Sequence, residues 1–103
     1  MVPTYRVTAD ADQDIADIER YVASYRGADF AIELSDRFTS FFRTLCRHPL
    51  QHPIYPFDSQ SHLRHEYRSA NLYHYKVFYW VDGDVTVIYR VLHQISDFTR
   101  ARW

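Results

Sequence analysis

Two periods of hydrophobic spacing divide the chain. Ile15, Ile18, Val22 and Tyr25 recur at helical spacing, and a second helical stripe runs through Phe30, Leu34, Phe38, Phe41, Phe42 and Leu45. Gly27 stands between the stripes and Pro49 follows the second, so the spacing predicts two helices joined by a short connection, an antiparallel hairpin. A cap is expected between Thr8 and Asp10, where Asp10 and Gln13 have capping-box spacing and Asp12 and Asp14 suit the positive helix start. Asp29 is placed to cap the second helix. From Leu63 the period drops to two. Leu63–Arg68, Tyr73–Val81 and Val85–His93 read as strands, and Tyr5–Thr8, after Pro3, as a first one.

Asp82-Gly83 is a strong hairpin signal. A two-residue turn there sets Phe78 opposite Val87, Lys76 opposite Tyr89 and His74 opposite Val91. His74, Lys76, Tyr89 and His93 then share one sheet face, with Val77, Tyr79, Ile88 and Leu92 on the other; a turn one residue longer breaks this grouping. Residues 48–62, with three prolines and the run Asp58-Ser59-Gln60-Ser61, form a long loop. The order of strand, two helices and three strands predicts an α+β fold: a helical hairpin on one face of a four-stranded, mainly antiparallel sheet. The first strand lies beside the last ones in one parallel contact, and the opposite face is left for solvent or a partner.

Composition narrows the picture. A chain of 103 residues is one domain, 1–103, able to close a core without disulfides or metals. Nine Tyr and seven Phe exceed what one core holds, so some are expected on a binding surface. The single cysteine, Cys46, lies in an apolar helical stretch and reads as a buried small hydrophobe, which suits a cytoplasmic protein. No apolar run reaches the ~20 residues of a membrane span, and the N-terminus lacks the pattern of a signal peptide. Residues 1–36 carry eight acids and three arginines, a balance of −5, and residues 37–103 a balance of +4. With net charge −1 the chain is a poor non-specific binder of nucleic acid, although its C-terminal part has cations for a modest basic face. Six histidines raise the question of a metal. His62 and His65 point to opposite faces of a strand, His48 and His52 flank a proline-rich turn, and no helical histidine pair exists, so neither metal nor cofactor is expected.

Particular positions carry a resemblance. Ala11-Asp12-Gln13-Asp14-Ile15 through Tyr21-Val22, then Gly27, Ala31, Phe38, Leu45 and Pro49, then Leu63-Arg64, Tyr67-Arg68, Lys76-Val77-Phe78-Tyr79, Asp82-Gly83, Arg90-Val91-Leu92-His93 and Asp97, resemble the ParE/RelE toxin superfamily in order and spacing. The resemblance implies a type II toxin held inactive by a cognate, ParD-like antitoxin whose acidic tail folds over it, with operator DNA reached only through that antitoxin. It also implies one of two activities. RelE-like members cleave mRNA on the ribosome without a metal; for that activity the candidate residues are Arg64, Arg68, Lys76 and His93. ParE-like members poison DNA gyrase and are inhibitors, not enzymes. The arginine that the RelE pattern has after the last strand falls at Ser96, and its C-terminal aromatic or base near Arg102. Ser96 cannot supply delocalised charge to a phosphate. That departure and the low net charge favour the ParE side. Arg64, Arg68, Lys76, Tyr89 and His93 are the expected antitoxin- or target-binding residues. Each also has a structural reading: surface ion pairs for the arginines, a solvated strand position for Lys76, and a strand-end backbone partner for His93.

Overall fold

The computed structural model describes residues 2–57, 64–95 and 103. Strand β1 (Thr4–Val7) leads into helix α1 (Ala9–Arg26) and helix α2 (Ala28–Arg47), followed by strands β2 (Arg68–Leu72), β3 (Tyr75–Asp82) and β4 (Val85–His93). The sheet order is β1-β4-β3-β2. β1 runs parallel to β4 and the other neighbours are antiparallel. The expected α+β architecture is therefore present, and the helical hairpin supplies the long crossover that a parallel pair requires.

Thr8 caps α1. Its Oγ1 accepts the Ala11 N–H at 3.1 Å and donates to the Tyr89 carbonyl at 2.9 Å, tying the helix start to β4. Asp10 lies within the first turn, and Gln13 donates to Asp17 instead of closing a capping box. Gly27, at φ 96°, ends α1 and starts α2 directly. Asp29 is thus inside the first turn of α2 and does not cap it. Leu34, Phe38, Phe42 and Leu45 of α2 and Ala11 and Val22 of α1 pack on Ala70, Val77, Tyr79, Ile88 and Val91 of the sheet. Cys46 is buried, as expected. The Tyr79 ring is fully buried because its hydroxyl donates to the Pro49 carbonyl at 2.5 Å.

Four expectations about the sheet are corrected. The strand expected at Leu63–Arg68 is displaced: β2 begins at Arg68, and Leu63 lies outside the described residues. Arg-Ser-Ala-Asn-Leu has little intrinsic strand preference and is extended because β3 pairs with it. Tyr73 and His74, assigned to the next strand, form the turn between β2 and β3.

The expected face grouping also fails. The β3–β4 turn residues are Gly83 and Asp84, so Tyr79 pairs with Ile88, a two-residue offset that leaves the faces as expected. Beyond it a β-bulge intervenes, and Phe78 pairs with Arg90, leaving Tyr89 as the extra residue. Every β4 residue past the bulge changes face. Leu92 lies opposite Lys76 on the outer side, and His93 opposite Tyr75 on the helix side.

The outer face is not left open either. The segment after α2 runs along β2, with the Ser69 N–H donating to the Pro53 carbonyl at 3.1 Å and the Tyr55 N–H to the Tyr67 carbonyl at 2.8 Å. Phe57 and Trp103 close over Phe78, with ring centroids 5.8 and 4.7 Å away. Val77, Phe78 and Tyr79 are consequently all buried in succession, which a sheet covered on one side would not allow.

A candidate partner-binding groove

Each helix stripe runs past the part that the sheet covers. Ile18 and Val22 of α1 and Leu34 of α2 pack inward, but Tyr21 and Tyr25 on the last turns of α1 and Phe30 on the first turn of α2 are 67, 75 and 44% exposed. Together with the β2–β3 turn and the ends of β3 and β4, these rings border a cleft of about 730 Å³. Tyr21 and Tyr25 stack at 6.1 Å, with planes 5° apart. A contiguous exposed apolar surface of this kind marks an interaction site.

The rim is polar. Arg37 of α2 pairs with Glu33 at 2.9 Å, donates to the Tyr73 hydroxyl and lies over the Tyr73 ring at 5.6 Å, so α2 is clasped to the β2–β3 turn. Arg26 lies over Phe30 at 5.3 Å. His74 and His93 face each other with parallel rings 6.0 Å apart, and Tyr75 meets His93 edge-on at 5.6 Å. His93 Nδ1 accepts the Ile95 N–H at 3.2 Å, which leaves the ring proton on Nε2 in the neutral form. Burial, with a smaller contribution from Tyr21, pushes the Tyr75 hydroxyl above its ordinary range.

The residues singled out from the sequence are dispersed. His93 lines the groove. Lys76 lies on the opposite sheet face, half-buried between Leu92 and Asn71. Tyr89 is also on that face, 5.0 Å from Tyr67 and 6.3 Å from Trp103. Arg68 donates to the His52 carbonyl at 2.7 Å and reaches Glu66 at 3.3 Å, while Arg64 is exposed just before β2. Ser96, Asp97, Arg102 and His62 lie outside the described residues. The pattern missed Tyr21, Arg26, Arg37 and Tyr73. Tyr25 and Phe30 belong to the apolar helix stripes, and two aromatics flanking the glycine of a helical hairpin are the signal that could have marked an uncovered end. Among the described residues no three histidine, cysteine or carboxylate side chains gather as a metal site, and no helix is long and apolar enough to cross a membrane.

The family described as the ParE toxin of the type II toxin–antitoxin system parDE has a sequence model that matches residues 5–98. The chain belongs to the ParE toxin family. Similar solved structures agree with the fold. A chain of the chromosomal ParDE system from P. aeruginosa superposes with a TM-score of 0.70 at 17% identity, over 90% of this chain and 96% of that one. A chain of the RelBE2 toxin–antitoxin complex from Mycobacterium tuberculosis gives 0.52 at 28% identity, over 90% of this chain and 99% of that one. No curated protein matches the chain. This ParE-family toxin therefore has the sheet and helical hairpin of the ParE/RelE superfamily, with membership on the ParE side.

Proposed function

We propose that this ParE-family toxin arrests growth by poisoning DNA gyrase and acts as an inhibitor, not as a nuclease. One observation carries the choice: Lys76 and His93 open on opposite faces of the sheet. Metal-free RNA cleavage needs a base and phosphate-binding cations within hydrogen-bond reach of one 2′-hydroxyl and one phosphate. Arg64, Arg68, Lys76 and His93 do not surround such a point, and Arg68 is already engaged by His52 and Glu66. The test is plasmid supercoiling by purified gyrase. Inhibition with accumulation of cleaved DNA is expected; no inhibition at excess toxin, together with cleavage of ribosome-bound mRNA that alanine at Lys76 and His93 abolishes, reverses the assignment.

The toxin's partner, on this reading, is a ParD-like antitoxin that seats an apolar segment of its tail in the groove and carries the complex to operator DNA. The exposed aromatic rings of the groove support this, since buried aromatic anchors dominate protein interfaces. Co-purification of toxin and antitoxin lost in Tyr25→Ala with Phe30→Ala, while the toxin stays folded, is the expected result.

A further inference from the structure

The two hairpin turns of the sheet offer an internal comparison. Each has a two-residue loop, Tyr73-His74 between Leu72 and Tyr75 and Gly83-Asp84 between Asp82 and Val85. In each the first loop residue is left-handed, Gly83 at φ 57° and Tyr73 at φ 54°. Glycine takes that conformation freely, whereas a residue with a side chain is strained in it and persists only where its surroundings hold it. Tyr73 is the only non-glycine residue with positive φ among the described residues. It is held from two sides: Arg37 grips its hydroxyl and ring, and the Gln94 side-chain amide donates to its carbonyl at 2.7 Å. The loop away from the groove carries the relaxed residue. The loop on its rim carries an aromatic ring, 54% exposed.

We propose that Tyr73 is kept in this strained turn to stand its ring at the mouth of the groove, where it anchors an amphipathic partner segment bearing apolar side chains and carboxylates. The inference rests on the groove being the docking site. The charge of the rim selects the segment. Asp17 and Glu33 are already paired with Arg20 and Arg37, whereas Arg26 meets no carboxylate among the described residues. The unbalanced charge is positive and favours an acidic flank on the partner. Tyr73 can meet that segment with its ring face while its hydroxyl stays with Arg37, a rigid amphipathic contact of low entropy cost.

The experiment compares Tyr73→Gly, Tyr73→Ala and Tyr73→Phe in the full chain. Gly and Ala remove the same ring and the same contacts and differ in backbone strain, so Tyr73→Gly is expected to melt about 4 °C or more above Tyr73→Ala. Binding is read by fluorescence anisotropy with a labelled helical peptide of about 20 residues, its Leu and Phe at i, i+3 and i+4 positions and Glu on the flanks. Gly and Ala variants are expected to bind about tenfold or more weakly, a loss of about 1.4 kcal/mol, and Phe within about twofold of wild type. Equal melting temperatures for Gly and Ala overturn the strain. Wild-type affinity in both variants, with Phe30→Ala weakened, overturns the anchor and leaves the groove reading standing. No binding to the wild type, or binding that Phe30→Ala leaves intact, overturns the groove reading itself.

Discussion

Asp14 and Arg90, 76 positions apart, are joined by two N–H···O bonds of 2.7 and 3.0 Å, and the same Asp14 carboxylate accepts the Val91 N–H at 3.0 Å. β1 accompanies β4 only as far as Ile88. Past that point α1 takes over the edge: Thr8 bonds the Tyr89 carbonyl and Asp14 bonds the Val91 N–H. A side-chain carboxylate thereby continues the work of a missing strand, at the place where the bulge turns Arg90 toward it.

Removing that carboxylate is expected to be costly. Both side chains are largely buried, at 15 and 12% exposure, and Asp14→Ala removes two carboxylate bonds from the Arg90 guanidinium and the acceptor of the Val91 N–H. A loss of about 3 kcal/mol is expected in urea unfolding. Asp14→Ala with Arg90→Met should cost less than the two single changes added together, because both remove the same pair of bonds. Additive losses would show that the pair is not coupled.

Alkaline pH should loosen the fold through its buried tyrosines. Burial pushes the Tyr79 hydroxyl from its ordinary 10.0 up to about 12, against a smaller opposing pull from Arg68, and Tyr67, Tyr75 and Tyr89 move the same way. A phenol whose folded pKa is raised gives stability that is whole below pH 10 and is lost as pH rises through about 12. For Tyr79 the loss is about 2 kcal/mol. Phenolate absorbance and unfolding followed together between pH 9 and 12 should show this, with a smaller drop in Tyr79→Phe. A stability profile flat across that window would contradict it.

His93 and Lys76 should separate by function because the bulge places them on opposite faces. His93→Ala is expected to weaken antitoxin binding about tenfold, and Lys76→Ala by less than about twofold, since only His93 lines the groove. Titration of antitoxin into each purified variant decides it, and equal effects would return both residues to one surface.

Trp103 should behave as a half-buried packing residue of the outer face. Its ring lies 4.6 Å from Phe57 and 4.7 Å from Phe78, with the Arg90 guanidinium 5.9 Å away. In Trp80→Phe, where Trp103 is the remaining tryptophan, emission should be blue-shifted in the folded protein and move to the red in denaturant. Trp103→Ala is expected to cost about 2 kcal/mol. Water-like emission from the folded protein would rule out this packing.

How much was legible in the sequence follows from the range of the forces involved. The two helices, their junction at Gly27, the strand Val85–His93 and the α+β order depend on local spacing and on backbone preferences written into neighbouring residues, and they stand as read. The family pattern spans the same elements. The position of β2, the covered outer face and the side of the sheet to which His93 belongs depended on pairing between distant residues. One extra residue, Tyr89, inverts every β4 position after it, and no local preference encodes that step. The groove has the same origin. Tyr25 and Phe30 continue regular apolar stripes, and only the docked sheet decides that its cover stops short of them and leaves their rings beside Tyr73.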